Sequence, residues 1–173
     1  MTSRSFSTFS EREFRDALAR FCTGVVIITG MDSGQPAGFC VQSFLSVSLQ
    51  PSLVAICPAK SSSSWPKIRA SGHFGINILA EDHCHLVDIF AKSGGDKFLD
   101  VSWRAADGGS PIINEAMGFI ECSIENEHEA GDHTIVVGKV LRFSLSEKEA
   151  GPLLFFRGML YTTNPQTLRE RAQ

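Results

Sequence analysis

The sequence predicts a mainly antiparallel β fold, a barrel with a few helices at its periphery. Three observations lead there. Short apolar, β-branched runs outnumber helical patterns, and turn-forming residues, not crossover helices, join most of them. No G-x-G-x-x-G follows a strand, as a doubly wound nucleotide-binding sheet would require.

The elements follow in chain order. "SEREFRDALARF" opens on Ser10 with Glu13 three residues later, the reciprocal capping box of a helix start. Phe14, Ala17, Leu18 and Phe21 then recur at helical spacing as one apolar stripe, and Gly24 is placed to end the helix. "VVIIT" is a strand, and "MDSGQPAG" behind it is rich in turn formers, a hairpin signal. "FCVQSFLSVSL" alternates loosely as one strand-like run, and "SLVAIC" is a further strand between Pro51 and Pro58. "SSSSWPKIRASG" reads as a short helix with serines at its cap, Pro66 in its first turn and Gly72 at its end. "FGINIL" is a strand, "EDHCHLVDIFAK" a helix with Leu86 and Phe90 on one face, and "SGGDKF" a loop. "GFIECSIENEHE" and "HTIVVGKVLRFSL" make a long hairpin. "PLLFFRGML" completes the strands, and the polar tail after Asn164 is helical or frayed.

A chain of 173 residues suits a single domain, residues 1–173, with a core from about 10 to 161. A hydrophobic content of 43% with 20% charged residues is ordinary for a soluble globular protein. The net charge of −3 is spread along the chain without a basic stripe, which argues against a nucleic-acid partner. No apolar run approaches the roughly 20 residues of a membrane helix. "MTSRSFSTFSEREF" lacks the apolar core of a signal peptide. Five cysteines, an odd number without C-x-x-C spacing, suit a reduced, cytoplasmic protein.

Metal chemistry is not expected. His83 and His85 lie two apart and face different sides of a helix, and nothing completes four convergent ligands. There is no G-x-S-x-G elbow and no recognisable Cys–His frame. Two stretches do suggest a nucleotide site. In "PAGFCVQSFLSVSLQP", Gln42, Ser43, Ser46 and Ser48 interrupt strand-like sequence, so that backbone N–H groups and short side chains can face a flat, polar-edged ligand. In "CPAKSSSSWP", Lys60 and four serines precede a helix start, a combination suited to phosphate, although a solvated N-capping loop has the same composition. Lys97 of "DKF" adds a second cation. Finally, "GDHTIVV" sets His133 at the mouth of a strand, either as a solvated strand end or aimed into a pocket.

Read together, "FCTGVVIIT", "PAGFCVQSFLSVSLQPSLVAICPAKSSSSW", "FGINIL", "DKF", "GDHTIVVGKV" and "PLLFFRG" resemble the short-chain flavin reductases in order and spacing. These are the reductase components of two-component flavin-dependent monooxygenases. The resemblance implies a Greek-key, FMN-binding split barrel, a homodimer with flavin near its interface. It also implies that NADH or NADPH reduces FMN or FAD, and that the reduced flavin diffuses to a separate oxygenase. Residue by residue, Pro36, Ala37, Gly38, Phe39 and Cys40 with Gln42 and Ser43 match the strand along the isoalloxazine edge, and Ser48 ends that strand pair. Ile56, Cys57, Pro58, Lys60, Ser62, Ser63 and Trp65 match the stretch around the ribityl chain and phosphate, and Lys97 and Phe98 the loop closing over it. His133 matches the histidine of a G-D-H on the nicotinamide side, where Arg157, Gly158 and Tyr161 also fall. Gln42, Cys40 and Ile89 depart from the residues common in the family, which bears on the choice between FMN and FAD. A non-enzymatic FMN-binding electron carrier on the same barrel is the leading alternative. A split-barrel oxidase related to the pyridoxamine-phosphate oxidases fits the motifs less well.

Overall fold

Seven strands pair into one antiparallel sheet in the computed structural model, which describes residues 9–147 and 149–163. The chain runs through α1 (Glu11–Leu18), β1 (Thr23–Gly24), β2 (Val26–Asp32), β3 (Gln35–Val41), β4 (Leu45–Leu49) and β5 (Ser52–Ile56). It continues through α2 (Trp65–Ala70), β6 (His73–Ile78), α3 (Cys84–Phe90), β7 (Trp103–Ala105) and β8 (Pro111–Ile113). The long strands β9 (Gly118–Ala130) and β10 (His133–Leu145) follow, then β11 (Leu154–Phe156) and β12 (Met159–Tyr161). The main sheet has the order β3-β2-β6-β9-β10-β5-β4. Among the described residues no ladder joins β3 to β4, so the antiparallel wall is open at that seam.

Period-two alternation sends neighbouring side chains of β2 to opposite faces of the sheet. Val26 and Ile28 join a core with Ile56, Trp65, Ile68 and Phe74, which packs α2 against the sheet. Val25, just before the strand, and Ile27 join a second core with Leu86, Phe90 and Leu153, which holds α3. Leu86 and Phe90 thus share a buried face, as their spacing predicts.

Several elements differ from the sequence expectation. The Ser10–Glu13 capping box forms, but α1 stops at Leu18, well short of Gly24. Its end is fastened where the Arg157 N–H donates to Ala19 O at 3.0 Å, and the chain then leaves to pair β1 with β11. The helix buries no residue: Phe14, Leu18 and Phe21 of the apolar stripe are 50%, 57% and 77% exposed. The first hairpin is tighter than its turn-rich sequence implies. Only Ser33 and Gly34, both at positive φ (50° and 86°), separate β2 from β3, the primed two-residue turn that matches strand twist. The run from Phe39 to Leu49 is broken at Gln42–Phe44 into β3 and β4. "PLLFFRGML" is not one strand but a hairpin, turned at Arg157 (φ 51°) and Gly158 (φ 80°). The cap of α2 comes from Ser62, whose Oγ accepts the Trp65 N–H at 3.1 Å, and not from Ser64. The β7–β8 hairpin has no counterpart in the sequence reading, and the expected tail after Asn164 lies outside the described residues.

Candidate functional site

β3 forms one edge of the sheet, and two hollows lie along it. At its C-terminal end a concavity of about 430 Å³ is lined by residues Phe39 to Ser43 together with Cys57, Ala59, Ser62 and His133. Residues from "CPAK" and "GDHT", more than seventy positions apart, meet there because their backbones pair. The Lys60 N–H donates to Asp132 O at 2.9 Å, the Thr134 N–H to Pro58 O at 3.0 Å, and Ala59 bridges His133. Gly131, at φ 67°, makes the turn that returns the chain into β10. His133 therefore opens β10 with its ring 44% exposed, and its Nδ1 lies 2.8 Å from Asp132 Oδ1. The hydrogen bond from His133 holds the Asp132 carboxyl below its usual value. Ser43 Oγ accepts the Cys57 N–H at 2.9 Å and so ties the Gln42–Phe44 bend to the end of β5.

The second hollow, about 190 Å³, lies at the N-terminal end of β3 between Pro36–Gly38, Ser63, Ser64, Lys67 and the loop Gly94–Phe98. Lys97 Nζ donates to Gly38 O and to Phe90 O, each at 3.1 Å. A Cβ on Gly38 would meet Phe90 Cε1 at 2.7 Å, so this close approach requires glycine. Burial lowers the Lys97 ammonium from its ordinary value, opposed by Cys40. Burial likewise pushes the Cys40 thiol up to about 11, against the pull of Lys97. The Cys57 thiol is also raised by burial, opposed by the Ser43 hydroxyl. Both cysteines stay protonated at neutral pH and act as walls, not thiolate nucleophiles.

Other residues singled out in the sequence lie elsewhere. Lys60 lines neither hollow, and its ammonium pairs with Glu129. Ile56 and Trp65 are buried in the first core, where they support the wall from behind. Ser48 Oγ accepts the Gln50 N–H at the far end of β4, and Pro58 contributes its carbonyl to β10. Arg157 and Gly158 line a separate groove of about 500 Å³ with Arg15, Arg20 and the end of α1. Tyr161 packs edge-on against Phe156. The sequence reading missed Val41, Ala59, Lys67, Gly94 and Gly95 as lining residues, whereas Ser64 is one of the four serines it singled out. No local spacing marks Lys67, because the Gly94–Phe98 loop that shares its hollow is remote in sequence. His83 is buried, its Nδ1 accepting the Ala80 N–H at 3.0 Å, whereas exposed His85 lies 3.4 Å from Glu115.

A family model, the flavin reductase like domain, matches residues 18–164. The chain belongs to the flavin reductase family. The reductase subunit HsaB of a flavin-dependent monooxygenase from Rhodococcus jostii is 45% identical to this flavin reductase over 155 residues, 89% of this chain and 78% of that protein. An FMN reductase (NADH), SmoA, from Agrobacterium fabrum is 42% identical over 149 residues, 86% of this chain and 84% of its own. The crystal structure of a homologue of nitrilotriacetate monooxygenase component B from Mycobacterium thermoresistibile has a TM-score of 0.91 at 43% identity, covering 94% of this chain and 92% of that one.

The residues along β3 fit a flavin. Gly38 O accepts from Lys97, so the Gly38 backbone faces away from β2, and ladder alternation turns the Cys40 N–H and C=O the same way. An open strand edge beside an apolar-walled concavity offers both a flat surface and backbone donors.

Proposed function

We propose that this flavin reductase uses NADH or NADPH to reduce FMN or FAD, and supplies reduced flavin to a separate oxygenase of a two-component monooxygenase. The observation that carries this reading is the concavity on the open edge of β3, with His133 at its rim, in a chain of this family. NADH is the favoured donor, since the relative from Agrobacterium fabrum is named for it. Flavin supplies the hydride-accepting chemistry when bound; the chain orients the reactants. In this proposal Phe39, Cys40, Gln42, Ser43 and Cys57 lie along the isoalloxazine. Pro36, Ala37, Gly38, Ser62, Ser63, Lys97 and Phe98 lie toward the ribityl phosphate. The outward N–H of Cys40 and the amides at Gln42 and Ser43 donate where negative charge gathers on the ring edge. In the tautomer whose Nδ1–H donates to Asp132, His133 offers Nε2 as an acceptor, which suits the carboxamide N–H of nicotinamide. Arg157, Gly158 and Tyr161 are assigned to the outer part of the nicotinamide nucleotide.

A homodimer belongs to the same proposal. The exposed Phe14, Leu18 and Phe21 of α1 and the residues after it supply an apolar surface for a second copy. A reducing, cytoplasmic setting suits five free cysteines, of which Cys22 is exposed. No helix among the described residues is long and apolar enough to cross a membrane. Steady-state NADH oxidation at low protein and excess free FMN or FAD tests the proposal. Turnover proportional to protein is expected, and absence of turnover with both NADH and NADPH would overturn it.

A further inference from the structure

We propose that Arg15 and Arg20 at the end of α1, with Arg157 of the β11–β12 turn, bind the diphosphate of the nicotinamide dinucleotide. This rests on the reductase reading above and extends its nucleotide site to the first helix. The groove of about 500 Å³ that these residues line lies between the end of α1 and the turn at Arg157–Gly158. Its volume falls within the roughly 300–1,000 Å³ of small-molecule sites. Three arginines line it, against one acid, Asp16. Arg15 shares a 3.7 Å pair with exposed Glu11, while Arg20 and Arg157 have no acidic partner among the described residues. A solvent-exposed pair of that kind neutralises little, so the groove keeps its positive charge.

Basic residues at a helix C-terminus commonly complement its open carbonyls and its dipole. Here four of those carbonyls already have donors. Arg15 O accepts the Ala19 N–H at 2.8 Å, Ala17 O the Arg20 N–H at 3.2 Å, and Leu18 O the Phe21 N–H at 2.9 Å. Ala19 O accepts the Arg157 N–H at 3.0 Å. The guanidinium groups are not needed as caps and remain for a ligand. Helical spacing also sets Arg15 and Ala19, one turn apart, on a different face of α1 from Phe14 and Leu18. A second copy on the apolar stripe and a nucleotide in the groove therefore take different sides of the helix.

Two further observations point to a ligand, and to this one. Arg157 holds φ 51° in a two-residue turn where glycine or asparagine carries the least strain. Strained non-glycine residues of this kind cluster at ligand sites. Its guanidinium is braced over the Phe156 ring, 5.3 Å from the centroid, which limits where the charge can go. The second observation connects the groove to His133. The Asp132 carboxyl is lowered first by the hydrogen bond from His133 and least by the charge of Arg15, so α1 stands near the G-D-H turn. The groove thus continues outward from the proposed nicotinamide contact, where the diphosphate is the next charged part of the donor. Guanidinium forks grip phosphate oxygens through paired N–H bonds that an ammonium does not reproduce.

The test compares NADH with reduced nicotinamide riboside, which shares the ring and ribose but has no phosphate. KM and kcat at excess FMN are measured for the parent chain, Arg15→Ala, Arg20→Ala, Arg20→Lys and Arg12→Ala, the last on α1 but outside the groove. Arg15→Ala and Arg20→Ala should each raise the KM for NADH about tenfold, the loss of one charge-assisted contact, with kcat and the riboside kinetics within about twofold. Arg20→Lys should recover only part of the loss, and Arg12→Ala should keep the parent values. Calorimetric titration with ADP, which carries the diphosphate without the nicotinamide, reads the groove without turnover. Its binding to the parent should weaken about tenfold in Arg20→Ala. Equal losses for NADH and the riboside, a loss for NADPH but not NADH, or the same loss in Arg12→Ala would each overturn the assignment. So would ADP binding that is absent from the parent or unaffected by Arg20→Ala. Failure of the parent to oxidise either donor would instead sink the reductase reading, and the ADP titration still decides the groove.

Discussion

At the scale of single residues, His133 and Lys67 show how far one sequence reaches. His133 is legible because Gly131 and Asp132 announce a turn, an apolar strand follows, and the G-D-H resembles a family motif. The fold brings its ring to the rim of a concavity and bonds it to Asp132 at 2.8 Å. His133→Ala should raise the KM for NADH and lower kcat/KM about tenfold, the value of one hydrogen bond, with FMN affinity little changed. Unchanged NADH kinetics would instead favour Arg157, in its groove beside α1, as the nicotinamide-side contact. Lys67 was not legible. Its place in the smaller hollow depends on the loop at Gly94–Gly95 coming to face α2, a long-range contact with no local pattern to betray it. Lys60 was misleading for the related reason that its partner, Glu129, is sixty-nine positions away in the chain yet adjacent across the paired backbones of Lys60 and Asp132.

At the scale of elements, the long strands and the Ser10–Glu13 cap were readable, whereas the end of α1 and the short hairpins were not. β9 and β10 carry thirteen residues each, enough alternation to declare a strand, whereas β7 and β8 carry three. What holds the β7–β8 hairpin is a side chain the sequence presents as an ordinary polar position. Glu121 of β9 is 0% exposed; its carboxylate accepts the N–H groups of Gly108 and Ser110, each at 3.1 Å, and lies 3.2 Å from Arg142 Nε. Arg142 also reaches Asp107 at 2.7 Å, closing the loop onto β10. A buried acceptor of this kind is costly to remove, because its donors are left without a partner. Glu121→Gln should therefore lower unfolding free energy by about 2–4 kcal/mol in urea titrations. An unchanged midpoint would mean that the loop finds other partners. α1 teaches the opposite lesson: its periodicity correctly gave a helix, but periodicity alone does not say which molecule covers the stripe.

At the scale of the whole molecule, the fold class follows from strands that face two cores at once. Neighbouring residues Ile27 and Ile28 lie in different clusters, and this requires a sheet covered on both sides, with α2 on one and α3 on the other. The sheet leaves β3 as an edge, and the same open edge that breaks barrel closure supplies the flat wall proposed for flavin. The alternative, an electron carrier on this fold, has the same wall and differs only in whether reduced flavin leaves. The most direct measurement is anaerobic mixing of a small amount of the protein with NADH and a large excess of FMN, following flavin absorbance. Loss of absorbance many times greater than the amount of protein, at a rate proportional to it, is the predicted result. Bleaching that stops at one flavin per chain, with NADH consumed no further, would contradict a reductase that releases its product.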